Sequence, residues 1–374
     1  MIFRKSSQVK SSQVKSSQVK SSQVKSSQVK YYNMILKTCV IFITLNSFCA
    51  YADQINIGGY GGVNYQVQTK VWYDVYENST SHLIGNSLIN GDVSKIKDQI
   101  KTGKERYNLV ELNSIDVTRA CDQGILERIS FADFDLSTKA LINGAVNACG
   151  VGFVVFSTVL AYHQNHVAYA PKSWSDFWDV KNIPGKRGLQ KTALYNLEFA
   201  LMADGVPSED VYKVLATQEG QDRAFAKLDQ LKPHIVWWDN NASILQQLEN
   251  GTVVMSSSFS GRINAQRKQQ GINFIWHDAI YDMDYWAIPK GASAQDAVKD
   301  FIKFTLQVKN QQEFAKAIEY GITRRMAMNN LEQEIKDRLP TNPENMKQQL
   351  AVNVFFWADY GEQLEQRFKQ WLKQ

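Results

Sequence analysis

The sequence predicts an α/β fold of largely parallel sheets, divided into two lobes. Three observations carry that prediction. Short apolar strands alternate with helices from residue 54 onward, the pattern of an α/β sheet protein. No long linker or composition break interrupts the alternation. The length of 374 residues suits two domains or one large one. Two lobes joined by more than one crossover would produce such a chain; beads on a string would not.

Taken in order, Gln54–Gly59 reads as a strand and Tyr60-Gly61-Gly62 as a turn into a helix from about Tyr65 to Glu77. Val71, Trp72 and Val75 fall on one side of that helix. His82–Ile84 is a short strand. Asp92 starts a helix with Val93, Ile96 and Ile100 at helical spacing. Tyr107–Leu112 is strand-like, Asp116–Gln123 helical, and a long apolar run covers Gly150–Tyr162. A short helix follows at Trp174–Trp178, a turn at Pro184-Gly185, then helices at Ala193–Ala203 and Asp222–Leu231. Strand Ile235–Trp237, helix Ser243–Glu249, strand Val253–Ser257, helix Gly261–Gln269 and strand Phe274–His277 continue the alternation. After Trp286–Pro289 the chain turns mainly helical, at 295–307, 310–319 and 354–372, the last with Leu364, Phe368, Trp371 and Leu372 as its buried stripe.

Apolar residues make up 44% of the chain and charged residues 21%. This excludes a disordered chain, a collagen and a multi-pass membrane protein. The formal charge is +5, from 42 Lys and Arg against 37 Asp and Glu. Eight of those cations lie in residues 1–52, which hold no Asp or Glu. The remainder therefore carries about −3, with no basic field to attract nucleic acid. Residues 6–30 are five perfect copies of Ser-Ser-Gln-Val-Lys. They have no apolar face to bury, so disorder is expected for a 1–33 leader. Either a tandem repeat is read through from an upstream start codon, or the leader is a basic arm. Residues 34–52 describe a secretory signal: Lys37, an apolar core from Cys39 to Ala50, and an Ala50-Tyr51-Ala52 cleavage site. Export to a periplasm follows. Cys121 and Cys149 then remain as an even pair in an oxidising compartment. They read most simply as one disulfide, worth about 3 kcal/mol in the chain-entropy description; the alternative is two buried thiols.

The motifs of common enzymes are missing. The sequence has no G-x-S-x-G elbow and no phosphate-binding loop, and Gly58-Gly59-Tyr60-Gly61-Gly62 does not meet the dinucleotide spacing. His163 and His166 stand close without Cys or carboxylate neighbours and read as surface histidines. No cofactor, metal or catalytic residue is expected.

Two segments carry chemistry. In Tyr281–Pro289, an extended backbone would place Asp282, Asp284 and Trp286 on one face. Two carboxylates and an indole suit an ammonium group; the alternative is a solvated strand end with a packing Trp. In Val253–Arg262, an apolar strand ends in three serines and enters a helix, the end of an open sheet where ligands bind. Arg262, in the first helical turn, opposes the helix dipole and needs an anion. That anion is either a substrate carboxylate or a protein carboxylate such as Asp284. Trp238, at the end of its own strand, is either a further contact or a core residue.

Asn56-Ile57-Gly58-Gly59-Tyr60-Gly61-Gly62, Lys172–Trp178, Gly185-Lys186-Arg187-Gly188, Ser260-Gly261-Arg262 and Asp284–Pro289 recur in order. The series, with the signal peptide, resembles the periplasmic solute-binding proteins of spermidine/putrescine-type ABC importers. The resemblance implies a type II two-lobed clamshell that closes by hinge bending and docks on an inner-membrane permease, and a monomer is expected. Its lobes would be 53–157 with 285–325, and 158–284 with 326–374. It implies Asp284 as the ammonium-holding carboxylate, with Tyr60 and Phe259 as aromatic walls. Asn113 and Ser114 lie at a polar turn, and Asp282 stands where the family often has an aromatic. Tyr195 occupies a position that should carry a carboxylate for a polyamine, and Glu198 is out of step. With Arg262 present, the sequence resembles a γ-aminobutyrate-binding branch, so a short ω-amino acid is expected, with putrescine or spermidine as the alternative. A ferric-ion clamshell using Tyr281 and Tyr285 is a more distant one.

Overall fold

A computed structural model describes residues 53–239 and 241–374; the Ser-Ser-Gln-Val-Lys repeat, the secretory signal and its cleavage site lie outside them. Strand β1 (Gln54–Gly59) buries Ile55 and Ile57 completely. The helical stretch after it is not uniform. Two α-helical pieces, α1 (Val63–Gln68) and α2 (Asp74–Ser79), flank a π-helical segment, Thr69–Tyr73. The wider π turn shifts the phase of the buried face. Trp72, Tyr73 and Tyr76 point inward, and Val75 is 44% exposed where regular α-periodicity would bury it. Strand β2 (Leu83–Leu88) pairs with β1 in parallel along its whole length, so it runs four residues beyond the expected Ile84. Its Gly-Asn-Ser stretch carries no apolar alternation, which hid the extension.

Helix α3 (Val93–Thr102) begins at Asp92, whose carboxylate accepts the Ser94 amide at 3.0 Å. Strand β3 (Leu109–Asn113) leads directly into α4 (Ser114–Asp122), capped by Asn113 Oδ1 accepting the Asp116 amide at 2.8 Å. The disulfide expected between Cys121 and Cys149 is formed. It ties the end of α4 to the residue before β4 (Gly150–His163).

The second part of the chain contributes α5 (Trp174–Trp178), β5 (Arg187–Gln190), α6 (Asn196–Ala203), α7 (Gln218–Leu231) and β6 (Ile235–Trp238). It continues through α8 (Asn241–Glu249), β7 (Met255–Phe259), α9 (Ser260–Gln270) and β8 (Ile272–Ala287). Helices α10 (Gln295–Thr305) and α11 (Val308–Ile318), the short strand β9 (Gln349–Ala351) and α12 (Val354–Trp371) complete it.

The main strands form one path in the order β2-β1-β3-β8-β4-β7-β5-β6. Each end of the path is a parallel group, β2-β1-β3 and β7-β5-β6. The middle is the antiparallel pair β4 and β8, of 14 and 16 residues. The fold is thus the expected α/β class, with largely parallel sheets flanked by helices. Apolar packing divides at the same middle. One core gathers Trp72, Leu109, Phe153, Trp286, Phe301 and Phe314. Another gathers Trp174, Phe177, Phe199, Leu228, Leu364 and Phe368. Along β4 the change falls between Val155 and Leu160, and along β8 between Ile280 and Met283. Both strands therefore leave the first core at this point, and their other halves are shared between the second core and a third cluster holding Val159, Ala161, Ile272 and Ala279.

Candidate ligand-binding cleft

A cavity of about 240 Å³ opens beside the β4–β8 pair. Six of the expected site residues line it: Tyr60, Asn113, Tyr195, Phe259, Arg262 and Asp284. Tyr60 comes from the turn after β1, Phe259 from the end of β7, and Arg262 from the first turn of α9. Asn113 and Asp284 stand directly opposite each other in the antiparallel β3–β8 pairing. The wall also includes Asn64, Phe156, Gln190, Thr192, Leu194 and Tyr320, which the sequence did not single out. The rings of Phe156 and Phe259 meet edge-on at 5.7 Å.

Four expected residues lie elsewhere. Trp286 has the right strand parity, but it is fully buried in a core, stacked on Phe153 at 4.0 Å. Its indole N–H donates to Thr305 Oγ1 at 3.1 Å. Helix α10 covers that end of the strand, so the face Asp284 shows to the cavity is closed two residues later. Trp238 is buried behind Phe259, their rings edge-on at 6.0 Å; it is a core residue. Ser114 and Asp282 line a separate hollow. The serines of β7 also change role. The strand runs through Phe259 rather than stopping at Ser257, so Ser256, Ser257 and Ser258 are interior strand residues, all buried. Ser256 Oγ donates to the Gly188 carbonyl of β5 at 3.0 Å.

The charges in the cavity are sparse and opposed. Asp284 is buried, and its pKa is held well above the usual range by desolvation, with Glu111, Asp282 and Asp116 adding to the effect. Glu111 lies under Tyr60. Its Oε1 accepts Asn64 Nδ2 at 3.0 Å and Gln68 Nε2 at 3.1 Å, and its Oε2 accepts the Tyr60 amide at 3.4 Å. Burial pushes Glu111 up to about 7 and Asp282 up to about 6. Near pH 7 Glu111 is therefore about half protonated, whereas Asp282 remains mostly ionised. Arg262 supplies the cation. Among the described residues, the arginines in ion pairs are Arg106, Arg223, Arg338 and Arg367. Arg262 is not one of them, and its buried Nε has no partner. The structure thus lacks the Arg262–Asp284 pair that would have neutralised both. The guanidinium reaches to Gly62, where a Cβ would lie 3.1 Å from Nη1. With φ at +76°, that position favours glycine in any case, and its bare backbone makes the room.

The opposite wall is held under tension. Tyr195 has φ at +72°, a costly conformation for a bulky residue. The loop before it is fixed by Glu365 of α12, whose Oε1 accepts the Ala193 amide at 2.8 Å, the Leu194 amide at 3.3 Å and the Thr192 hydroxyl. Asn196 Nδ2 donates to the Gln190 and Thr192 carbonyls, each at 2.6 Å. These contacts delay α6 to Asn196, where Ala193 was the expected start. Glu198 is fully buried away from the cavity and accepts Trp357 Nε1 at 2.6 Å and the Tyr212 hydroxyl at 3.1 Å.

A cavity with a guanidinium that touches the Tyr320 hydroxyl but has no ion-pair partner, a buried carboxylate and aromatic sides can grip a small molecule bearing both an anionic and a cationic end. Among the described residues no group of three His, Cys, Asp or Glu side chains is placed to hold a metal. The Tyr285 hydroxyl is committed to the Gly144 carbonyl.

Residues 86–341 match the family of bacterial extracellular solute-binding proteins. A γ-aminobutyric acid-binding protein from Pseudomonas aeruginosa is 41% identical over 324 residues, 86% of this chain and 92% of that one. The crystal structure of an ABC transporter substrate-binding protein from Bradyrhizobium japonicum USDA 110 is similar at a TM-score of 0.79. It is 31% identical, and the match covers 86% of this chain and 99% of that one. A solved γ-aminobutyrate receptor shares the fold at a TM-score of 0.78 and 24% identity, over 86% of this chain and 98% of the receptor.

Proposed function

The chain belongs to the bacterial extracellular solute-binding proteins, and we propose that it captures a short ω-amino acid, γ-aminobutyrate or a close relative, for an ABC importer. The observation that carries this reading is the cavity shared by Arg262, with no ion-pair partner, and the buried Asp284. A zwitterion satisfies both: its carboxylate on the guanidinium fork, its ammonium on Asp284 opposite Asn113. The name of the Pseudomonas aeruginosa relative supports the same ligand. In this reading the protein is an exported monomer, cleaved after Ala52, that hands its ligand to an inner-membrane permease and performs no chemistry on it. Residues 53–157 with 285–325 form one lobe, and 158–284 with 326–374 the other. Strands β4 and β8 are the crossovers about which the lobes close.

A diamine such as putrescine is the second reading, favoured by the acidic surroundings: Glu111, Asp116 and Asp282 all act on Asp284. Burial leaves Glu111 about half protonated near pH 7, Asp282 faces a separate hollow, and Arg262 repels a second cation. Calorimetric titration of the purified protein with γ-aminobutyrate, 5-aminovalerate, putrescine and spermidine separates the two. Binding of the amino acids with weak or absent diamine binding is expected. Putrescine bound and γ-aminobutyrate ignored would sink the zwitterion.

A further inference from the structure

Asp282 is a buried carboxylate that the cleft does not use. It is 4% exposed. One oxygen accepts the Met283 amide at 2.7 Å; the other, Oδ2, makes no hydrogen bond of full geometry, and the neighbouring amide and hydroxyl of Ser114 favour its charged form. That hydroxyl, itself buried, makes none of full geometry either. Both residues line a hollow of about 190 Å³ together with Tyr281, Met283, Tyr285 and Val352. This hollow has no residue in common with the ligand cavity. It lies along β8 where core membership passes from Ile280 to Met283, next to β9, which pairs with Ala279–Tyr281.

The lining dictates what would fit. A lone carboxylate without a counter-charge excludes anions. An uncharged apolar guest would leave Oδ2 without a full hydrogen bond, which is costly in a buried place. A metal ion wants several oxygen or nitrogen ligands; besides Asp282 the lining offers two phenols, a thioether, a hydroxyl, aliphatic groups and the Asn143 amide, whose oxygen already accepts from Arg325 at 2.9 Å. An ammonium head with a short hydrocarbon body meets every feature: hydrogen bonds to Asp282 and Ser114, aromatic faces from the two tyrosines, and apolar contact with Met283 and Val352. We infer that this hollow is a second amine site, taking a small primary alkylammonium independently of the ligand in the main cavity. The inference does not rest on the ω-amino acid reading.

The test titrates methylammonium and ethylammonium chloride into the purified protein, with sodium chloride as the ionic-strength control and calorimetry as the readout. Wild-type protein and Asp284→Asn are expected to bind one equivalent saturably. Asp282→Asn should weaken that binding by roughly thirtyfold or more, the cost of removing a buried charged partner. Val352→Phe, which fills the hollow and leaves Asp282 in place, should block it as well. Melting curves report whether either variant has lost its fold, and the other then carries the test. Amine binding that vanishes in Asp284→Asn but survives in Asp282→Asn would assign it to the main cavity and overturn the inference. So would the absence of saturable binding to the wild type.

Discussion

Replacing Arg262 with alanine should separate the two ends of the ligand. In the free protein this guanidinium makes no ion pair, and its Nε is buried without a partner. Removing it therefore discards a poorly satisfied cation, and stability should change by less than about 1 kcal/mol. Binding is different. A bidentate contact between guanidinium and carboxylate inside a largely desolvated cavity is worth about 3–5 kcal/mol on truncation. That corresponds to a loss of roughly 150- to 5,000-fold in affinity for γ-aminobutyrate. Putrescine has no carboxylate to lose, and removing the neighbouring cation should leave its binding unchanged or tighten it. Calorimetry with both ligands on wild-type and Arg262→Ala protein reads the contrast directly. A variant that loses both ligands equally would mean that Arg262 only shapes the cavity. One that keeps γ-aminobutyrate within threefold of wild type would mean that the carboxylate sits elsewhere.

Other changes test the supporting structure. Glu365→Ala removes the common acceptor of the Thr192, Ala193 and Leu194 donors; ligand affinity should drop by about tenfold, and Glu365→Gln, which keeps an acceptor oxygen, should restore most of it. Gly261→Ala would place a Cβ 1.9 Å from the Tyr320 ring, so a melting experiment should show a loss of about 2–3 kcal/mol together with weakened binding. Burial raises Glu198 to about 7 from an ordinary 4.5. Between those values the folded chain holds a proton that the unfolded chain has released, so stability should fall as pH rises from about 4.5 to 7. Denaturant melts of wild type and Glu198→Gln at pH 5 and 8 should show the pH dependence shrinking by up to about 3 kcal/mol in the variant.

Local sequence carried much of the fold because most elements announce themselves locally. Asp92 marks its helix by accepting the Ser94 amide, and the amphipathic stripe of α12 buries Leu364, Phe368 and Trp371 as its spacing demands. What stayed hidden depends on partners far along the chain. The π segment at Thr69–Tyr73 leaves no mark in an apolar pattern read at 3.6 residues per turn. Strand β8 shows in the sequence as two short pieces, Phe274–His277 and an extended Tyr281–Pro289; the residues between them lie where its pairing with β4 breaks register, from Ile275 to Ile280.

The same distinction governs the cleft. Asp284 and Arg262 were legible because a carboxylate within an aromatic strand and a cation in a first helical turn are each locally anomalous, and such anomalies call for a partner. Trp286 shared the strand parity of Asp284 but not its environment. Alternation tells which side of a strand a residue takes, whereas the helix that covers that side, α10, is contributed by residues after it. Glu365 is the opposite case: an ordinary surface-type residue on an amphipathic helix, 171 positions from Leu194 in sequence, with no local signal at all. Yet it fixes the loop whose next residue, Tyr195, takes the strained backbone. Strain of this kind persists only where surrounding contacts over-determine it. If Glu365 supplies that constraint, the geometry of Tyr195 against the ligand depends on α12 staying docked to the second core. Affinity should then respond to substitutions at Leu364 and Phe368, which never approach the cavity, and selectivity among ω-amino acids should change before the fold is lost.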